Sequence, residues 1–370
     1  VKKNASPKDP YVPLFSVGAL SIIEGIFIWI LFQHNLLRYY PKQAHGNIMF
    51  FGFLWSFIAG FVMTAVPRMT GAAVASVFEV LMAVCFSCLQ LALNLENFTN
   101  ASLFLFFVQI IFLILFLSRR LLEKKQIPFE GFVFFPFAFL QGILGVGIFL
   151  IDDPSRTDLL YLLSGEAFAL NLILGIGSRL IPVISRIPNA LSPHARAGAA
   201  KKTPALLLAI IFNLSFYIQL FIREEWGVAL RLVVVFYMAV KHLKLFSKGT
   251  SFSWVGLGLK IGLLFILLSY VGSLFHANPI ATKHLLYLGG FALITLMVAT
   301  RVMLSHGGES LDYEGHSKRI FLVIALMVVA AVFRFLAGSD IFGGLMITGA
   351  LAALGAIFIW FYKFFKTLKI

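Results

Sequence analysis

The chain is divided almost end to end into stretches of about twenty mainly apolar residues, separated by short polar connections. A hydrocarbon layer roughly 30 Å thick is crossed by about 20 residues of helix, and lipid offers no partner for a free backbone N–H or C=O. Such stretches therefore predict a bundle of membrane-spanning helices. Twelve are read, at 11–32, 46–66, 72–93, 100–118, 129–151, 159–183, 204–222, 226–246, 252–275, 284–304, 319–337 and 342–364. They leave no room for a soluble domain, so residues 1–370 are expected to form one all-α integral membrane unit. Only 12% of residues are charged, about half the usual share of about 25%, and a water-soluble fold is excluded.

Lys and Arg in the connections set the expected orientation. With both termini on one side, that side holds twenty of the thirty basic residues, the other side six, and the spans themselves four (Arg179, Arg231, Lys260 and Arg301). Both termini are therefore expected in the cytoplasm, with lipid as the surroundings of the spans. The net charge of +14 is then a topology signal, and no nucleic-acid partner is implied. Residues 1–9 contain no apolar run, so no cleaved leader is expected and the first span acts as an anchor.

A weak repeat runs through the spans. The second, sixth and tenth end in GFVMTAVPRMTG, LGIGSRLIPVISR and LMVATRVMLSHGG, each joining an Arg to small residues at the cytoplasmic boundary. The interval of four helices suggests three pseudo-repeats of four.

Two histidines head spans on the opposite, extracytoplasmic side: His45 before GNIMFFGF and His284 before LLYLGGF. Imidazole beside hydrocarbon is costly unless it is hydrogen-bonded or bound to metal. A b-type haem takes one or two axial imidazoles, and facing helices are a natural source of them. Met49 lies one turn below His45 and could complete a soft copper site, while Tyr287 is placed to hydrogen-bond a ligand. The bland alternative is that both histidines cap loops. At the cytoplasmic boundary Arg68, Thr70, Arg179, Arg301 and His306 could form a cationic pocket for haem propionates, nitrite or another small anion. Their alternative is snorkelling. His194, His242 and His316 fall on the same side.

Among intramembrane ionisable residues, Glu24 and Glu166 fall in the outer half, with Glu166 the candidate proton carrier. Glu79 and Lys260 fall in the inner half and could pair. Cys85 and Cys88 share one helix face and read as small packing residues, not as a redox or metal pair. Walker, Rossmann and HExxH motifs are absent.

Three stretches together resemble the NnrS family of haem- and copper-associated bacterial membrane proteins. HGNIMFFGFLWSFIAGFVMTAVPRMTG at 45–71 is similar to a span that begins H-x-H-E-M-x-F-G-F and ends T-A-V-P-x-W-T-G. GIGSRLIPVIS at 175–185 resembles G-G-R-x-I-P-x-F-T, and HLLYLGGFALITLMVATRVMLSHGG at 284–308 resembles H-x-L-x-x-G…T-R-x-x-L-G-H-T-G. Asn47 and Ile48 stand where the family has a second His and a Glu, and Met69 stands for its Trp. HGNIMFF also resembles the second helix of haem–copper oxidase catalytic subunits, where such a His is a haem ligand partnered from helix 10. The sixth and seventh spans lack histidine, so the oxidase copper site has no counterpart and terminal oxygen reduction is not expected.

The resemblance implies roles for His45, Arg179, His284, Arg301 and His306, with haem b as cofactor and copper as a second candidate. It implies work in nitric oxide or nitrosative-stress metabolism, either as an oxidoreductase fed by an electron donor or as a protein that binds nitric oxide. The rival from a different class is a cofactor-free secondary transporter that uses Glu24, Glu166 and Lys260.

Overall fold

The computed structural model describes residues 9–125, 129–151, 156–188, 190, 202–307, 310–338 and 344–368. His194 lies outside them. The long helices are α1 (Tyr11–Gln33), α2 (Lys42–Thr70), α3 (Val77–Leu95), α4 (Thr99–Leu122), α5 (Glu130–Ile151) and α6 (Thr157–Ile184). They continue with α7 (Lys202–Phe221), α8 (Glu224–Lys241), α9 (Trp254–Leu274), α10 (Pro279–His306), α11 (Lys318–Leu336) and α12 (Leu345–Leu368). No strand occurs among the described residues.

Eleven of these helices are long and apolar enough to cross a membrane. The other is α8, which carries Glu224, Glu225, Arg231 and Lys241. Arg231 is the only one of the four inside its length, and it is fully buried against α6, α7 and α9.

Burial decides which helices are central. About three quarters of the apolar stretch of α2, α6 and α10 is buried (78%, 72% and 72%), against 28% for α3 and α12. The three central helices are the same three that carry the four-helix repeat. Large apolar side chains such as Phe78, Leu81, Phe104 and Leu115 remain exposed on the perimeter, where lipid would meet them. Because lipid is as apolar as leucine, shape complementarity must hold the helices together. Aromatic contacts supply much of it: Phe15 stacks on Phe57 at 4.8 Å, and Phe51 meets Phe106 at 4.3 Å.

Each central helix widens into a π-helical stretch near one end: Ile48–Leu54 in α2, Tyr161–Ala167 in α6 and Leu285–Ala292 in α10. Bonding from i to i+5 is rare in proteins and concentrates at functional sites. All three stretches lie toward the end that holds His45 and His284, here the histidine end. The basic end is opposite. Below the π-helical stretches, α2, α6 and α10 line a partly open apolar pocket of about 80 Å³, with Phe57, Phe61, Leu172, Ile176, Ile294 and Val298 among its walls.

Candidate functional site

Both histidines sit inside helices, not at their first residues. α2 begins at Lys42, one turn before His45. α10 begins with Pro279 behind an Asn278 cap whose side chain accepts from the N–H groups of Ile280 and Ala281. His45 Nδ1 donates to the Gly25 carbonyl of α1 at 2.7 Å, and His284 Nδ1 donates to the Ile280 carbonyl at 2.7 Å. A carbonyl can only accept, so in both rings Nδ1 carries the proton and Nε2 the lone pair. Neither Nε2 has a hydrogen-bond partner among the described residues. Fixing one ring nitrogen on a backbone carbonyl while the other stays open is the arrangement that metal-ligating histidines adopt. The two rings lie within electrostatic reach of each other and of Arg334 at the end of α11.

The neighbours hold this geometry in place. Tyr161, the first residue of the α6 π-helical stretch, donates to Gln43 O at 3.1 Å and to Asn47 Oδ1 at 3.0 Å, clamping the first turn of α2. Gly46 permits that approach, since a β-carbon there would stand 2.5 Å from the Tyr161 hydroxyl. Trp29 lies edge-on to His45 at 5.9 Å, and Phe50 bridges Tyr161 (5.5 Å) to Tyr287 (4.8 Å). Met49 is half-buried against Gly25, the residue whose carbonyl fixes His45.

Deeper in the bundle Glu166 is not free. Its Oε1 accepts from Arg231 Nη1 at 2.8 Å and from Tyr270 OH at 2.7 Å. Arg231 also donates to Ser215 and Gln219 and lies 3.6 Å over the Phe216 ring. A carboxylate held by a guanidinium that is itself fully partnered is an anchor between α6, α8 and α9. In the sequence Arg231 stands among the intramembrane cations with no partner assigned. The signal is there, because a charge at that depth demands a partner of opposite sign. Glu24 is the reverse case: both its carboxylate oxygens are buried and have no hydrogen-bond partner.

Glu79 and Lys260, which depth alone would allow to pair, have other partners. Glu79 takes a two-pronged bond from Arg120, at 2.5 and 2.6 Å, and closes the cap of α3 with Ser76. Lys260 donates to the Ser247 carbonyl at 2.5 Å. Shared depth in the membrane did not mean a shared helix face. Cys85 and Cys88 are free and exposed on the perimeter of α3, so they are not packed into the core.

At the basic end the structure brings Arg68 and His306 together at 3.1 Å, with Asp9 3.4 Å from Arg68. The guanidinium must donate, so the His306 Nε2 lone pair is already in use. Thr70 turns back onto the Val66 carbonyl. Arg301 is paired at 2.9 Å with Glu314, a fully buried acid on the one-turn helix Tyr313–His316. Arg179 lies 5.4 Å over the Phe129 ring. Helix rise separates Arg68 from His45, and Arg301 from His284, by roughly 25–35 Å. One porphyrin cannot be ligated at the histidine end and have its propionates held at the basic end.

The family model described as NnrS protein matches residues 8–369. The chain belongs to the NnrS family. Membership places it, at family level, among nitric-oxide-related membrane proteins associated with haem and copper. No curated protein matches it. Among the described residues, no group of three or more His, Cys, Asp and Glu gathers as a metal site. Any protein-held metal at the histidine end would therefore rest on few ligands, which suits a haem iron better than a bare ion.

Proposed function

We propose that this member of the NnrS family binds b-type haem at its histidine end, where His45 and His284 would hold the iron, and acts in nitric oxide or nitrosative-stress metabolism. One observation carries the reading: two imidazoles on the two helices named by the family motif each have Nδ1 fixed by a carbonyl and Nε2 open. When bound, the haem would supply a redox-active centre for electron transfer, and it would take a diatomic ligand only where one imidazole gave up its place. The chain's own residues orient and shield it. Gly25 and Ile280 fix the rings, Tyr161 and Asn47 set the first turn of α2, and Trp29 and Phe50 exclude water from the surroundings. Tyr287 supplies a phenol one turn from His284 for hydrogen bonding to a ligand.

Copper at His45 and Met49 would use the same Nε2, so that site and a two-histidine haem exclude each other at His45. The bias of basic residues supports an inner-membrane location with the histidine end facing outward. The transporter alternative loses two of its three coupling groups to Arg231 and to the Ser247 carbonyl.

The test is a visible spectrum of protein purified in detergent from haem-replete cells, followed by anaerobic titration with nitric oxide. A Soret band is expected that is lost in His45→Ala and His284→Ala. A colourless wild-type protein would refute the haem reading. A titration that shifts the band only after reduction would favour an enzyme dependent on an electron donor.

A further inference from the structure

Among the described residues, Arg334 is the cation of the histidine end that is partly buried and has no partner, whereas Arg38, Lys42 and Lys283 are exposed. It lies in the last turn of α11, half-buried, and makes no hydrogen bond or ion pair among the described residues. Its direction is set by Ala331, Arg334 and Phe335, which share one face of α11, and by Gly338 in the turn just past the helix. Ala331 packs with Leu285 of α10 and Phe265 of α9. Gly338 lies against Ala281, and its carbonyl accepts from Asn278 Nδ2 at 2.9 Å. Two points of contact on either side of His284 thus turn Arg334 toward the first turns of α10, and both histidines feel its charge. A half-buried guanidinium with five donors and no acceptor is a site in want of an oxyanion.

We infer that Arg334 binds an oxyanion group beside the two imidazoles. The chemistry is that of a carboxylate or a small planar anion, and it has two sources: a propionate of the bound porphyrin, or free nitrite. The first source rests on the haem reading above; the second does not. A guanidinium grips either one through two parallel N–H bonds, which an ammonium cannot copy.

The experiment compares wild-type protein with Arg334→Gln, Arg334→Lys and Asp340→Asn in detergent, using two measurements. The first is the rate of haem transfer to excess apomyoglobin, and the second is the unfolding midpoint with and without nitrite at constant ionic strength. If a propionate is the partner, Arg334→Gln loses haem about tenfold faster, Arg334→Lys falls between, and nitrite has no effect. If free nitrite is the partner, haem transfer is unchanged, while nitrite raises the midpoint of the wild type and not of Arg334→Gln. Asp340→Asn, a control for an acid close by in sequence, matches the wild type in either case; a loss equal to that of Arg334→Gln would assign the arginine to that acid and overturn the proposal. Equality of Arg334→Gln with the wild type in both measurements would also overturn it. Should Arg334→Gln fail to accumulate, Arg334→Lys decides in its place: about a threefold change supports the site and equality refutes it. A colourless wild type sinks the haem reading alone, and the nitrite measurement then decides for Arg334.

Discussion

The two ends of the bundle treat their polar groups in opposite ways. At the basic end each principal cation has an answer: Arg68 has Asp9, Arg120 has Glu79, Arg301 has Glu314, and Lys260 has a carbonyl. At the histidine end the imidazole Nε2 atoms, the Arg334 guanidinium and the Glu24 carboxylate are left open. Unpaired neutral groups such as the Tyr11 and Ser185 hydroxyls occur at the basic end too, so the contrast is one of ionisable groups: a carboxylate, a guanidinium and two imidazoles without partners among the described residues gather at one end, and such groups inside a membrane mark where something else binds. Completing pairs builds the fold; leaving them incomplete builds a site.

That contrast can be broken most severely at the paired Glu166–Arg231 cluster near the histidine end. Arg231→Met strands the Glu166 charge in the core and should lower stability by about 3–5 kcal/mol, visible as a large fall in the unfolding midpoint in detergent. Adding Glu166→Leu should restore much of it, because no charge is then left unanswered; no recovery would show that the pair is not an anchor.

Next in size is a comparison of two buried carboxylates. Glu314 accepts from Arg301 and Ser253, so Glu314→Gln should cost about 1.5–3 kcal/mol without altering any visible spectrum. Gly46→Ala pushes a methyl group into the Tyr161 hydroxyl and should cost about 1–3 kcal/mol. Unlike Glu314→Gln, it should also weaken haem retention, because it moves the turn that carries His45. Equal haem content in the two variants would remove Tyr161 from the positioning role. Glu24→Gln should have the smallest effect, within about 0.5 kcal/mol or slightly stabilising, because its carboxylate has no partner to lose. A loss as large as that for Glu314→Gln would mean that Glu24 is charged and bound to an ion or water.

Much of this was legible in the chain. Apolar runs announce helices in lipid without ambiguity, and a histidine at the head of such a run stands out against its neighbours. The four-helix interval was visible in the boundary patterns of α2, α6 and α10, which prove to be the central helices. What hydropathy cannot carry is rotation about the helix axis. Glu79 and Lys260 were matched by depth, yet they face different partners. Arg334 closes the apolar run from 319 to 337, and nothing in that run tells which neighbour it faces. The π-helical stretches were equally hidden, since changing a bonding partner from i+4 to i+5 leaves composition untouched.

Those widened turns have a consequence for how the molecule can change. One residue corresponds to about 100° of helix rotation, so a single deletion inside Ile48–Leu54 that restored regular geometry would swing the head of α2 away from Gly25 while its base stayed docked. The same holds in α6 and α10. Each central rod therefore contains a swivel, and the ligand-facing rim could be re-aimed by single-codon insertions or losses while the rest of the bundle is left alone.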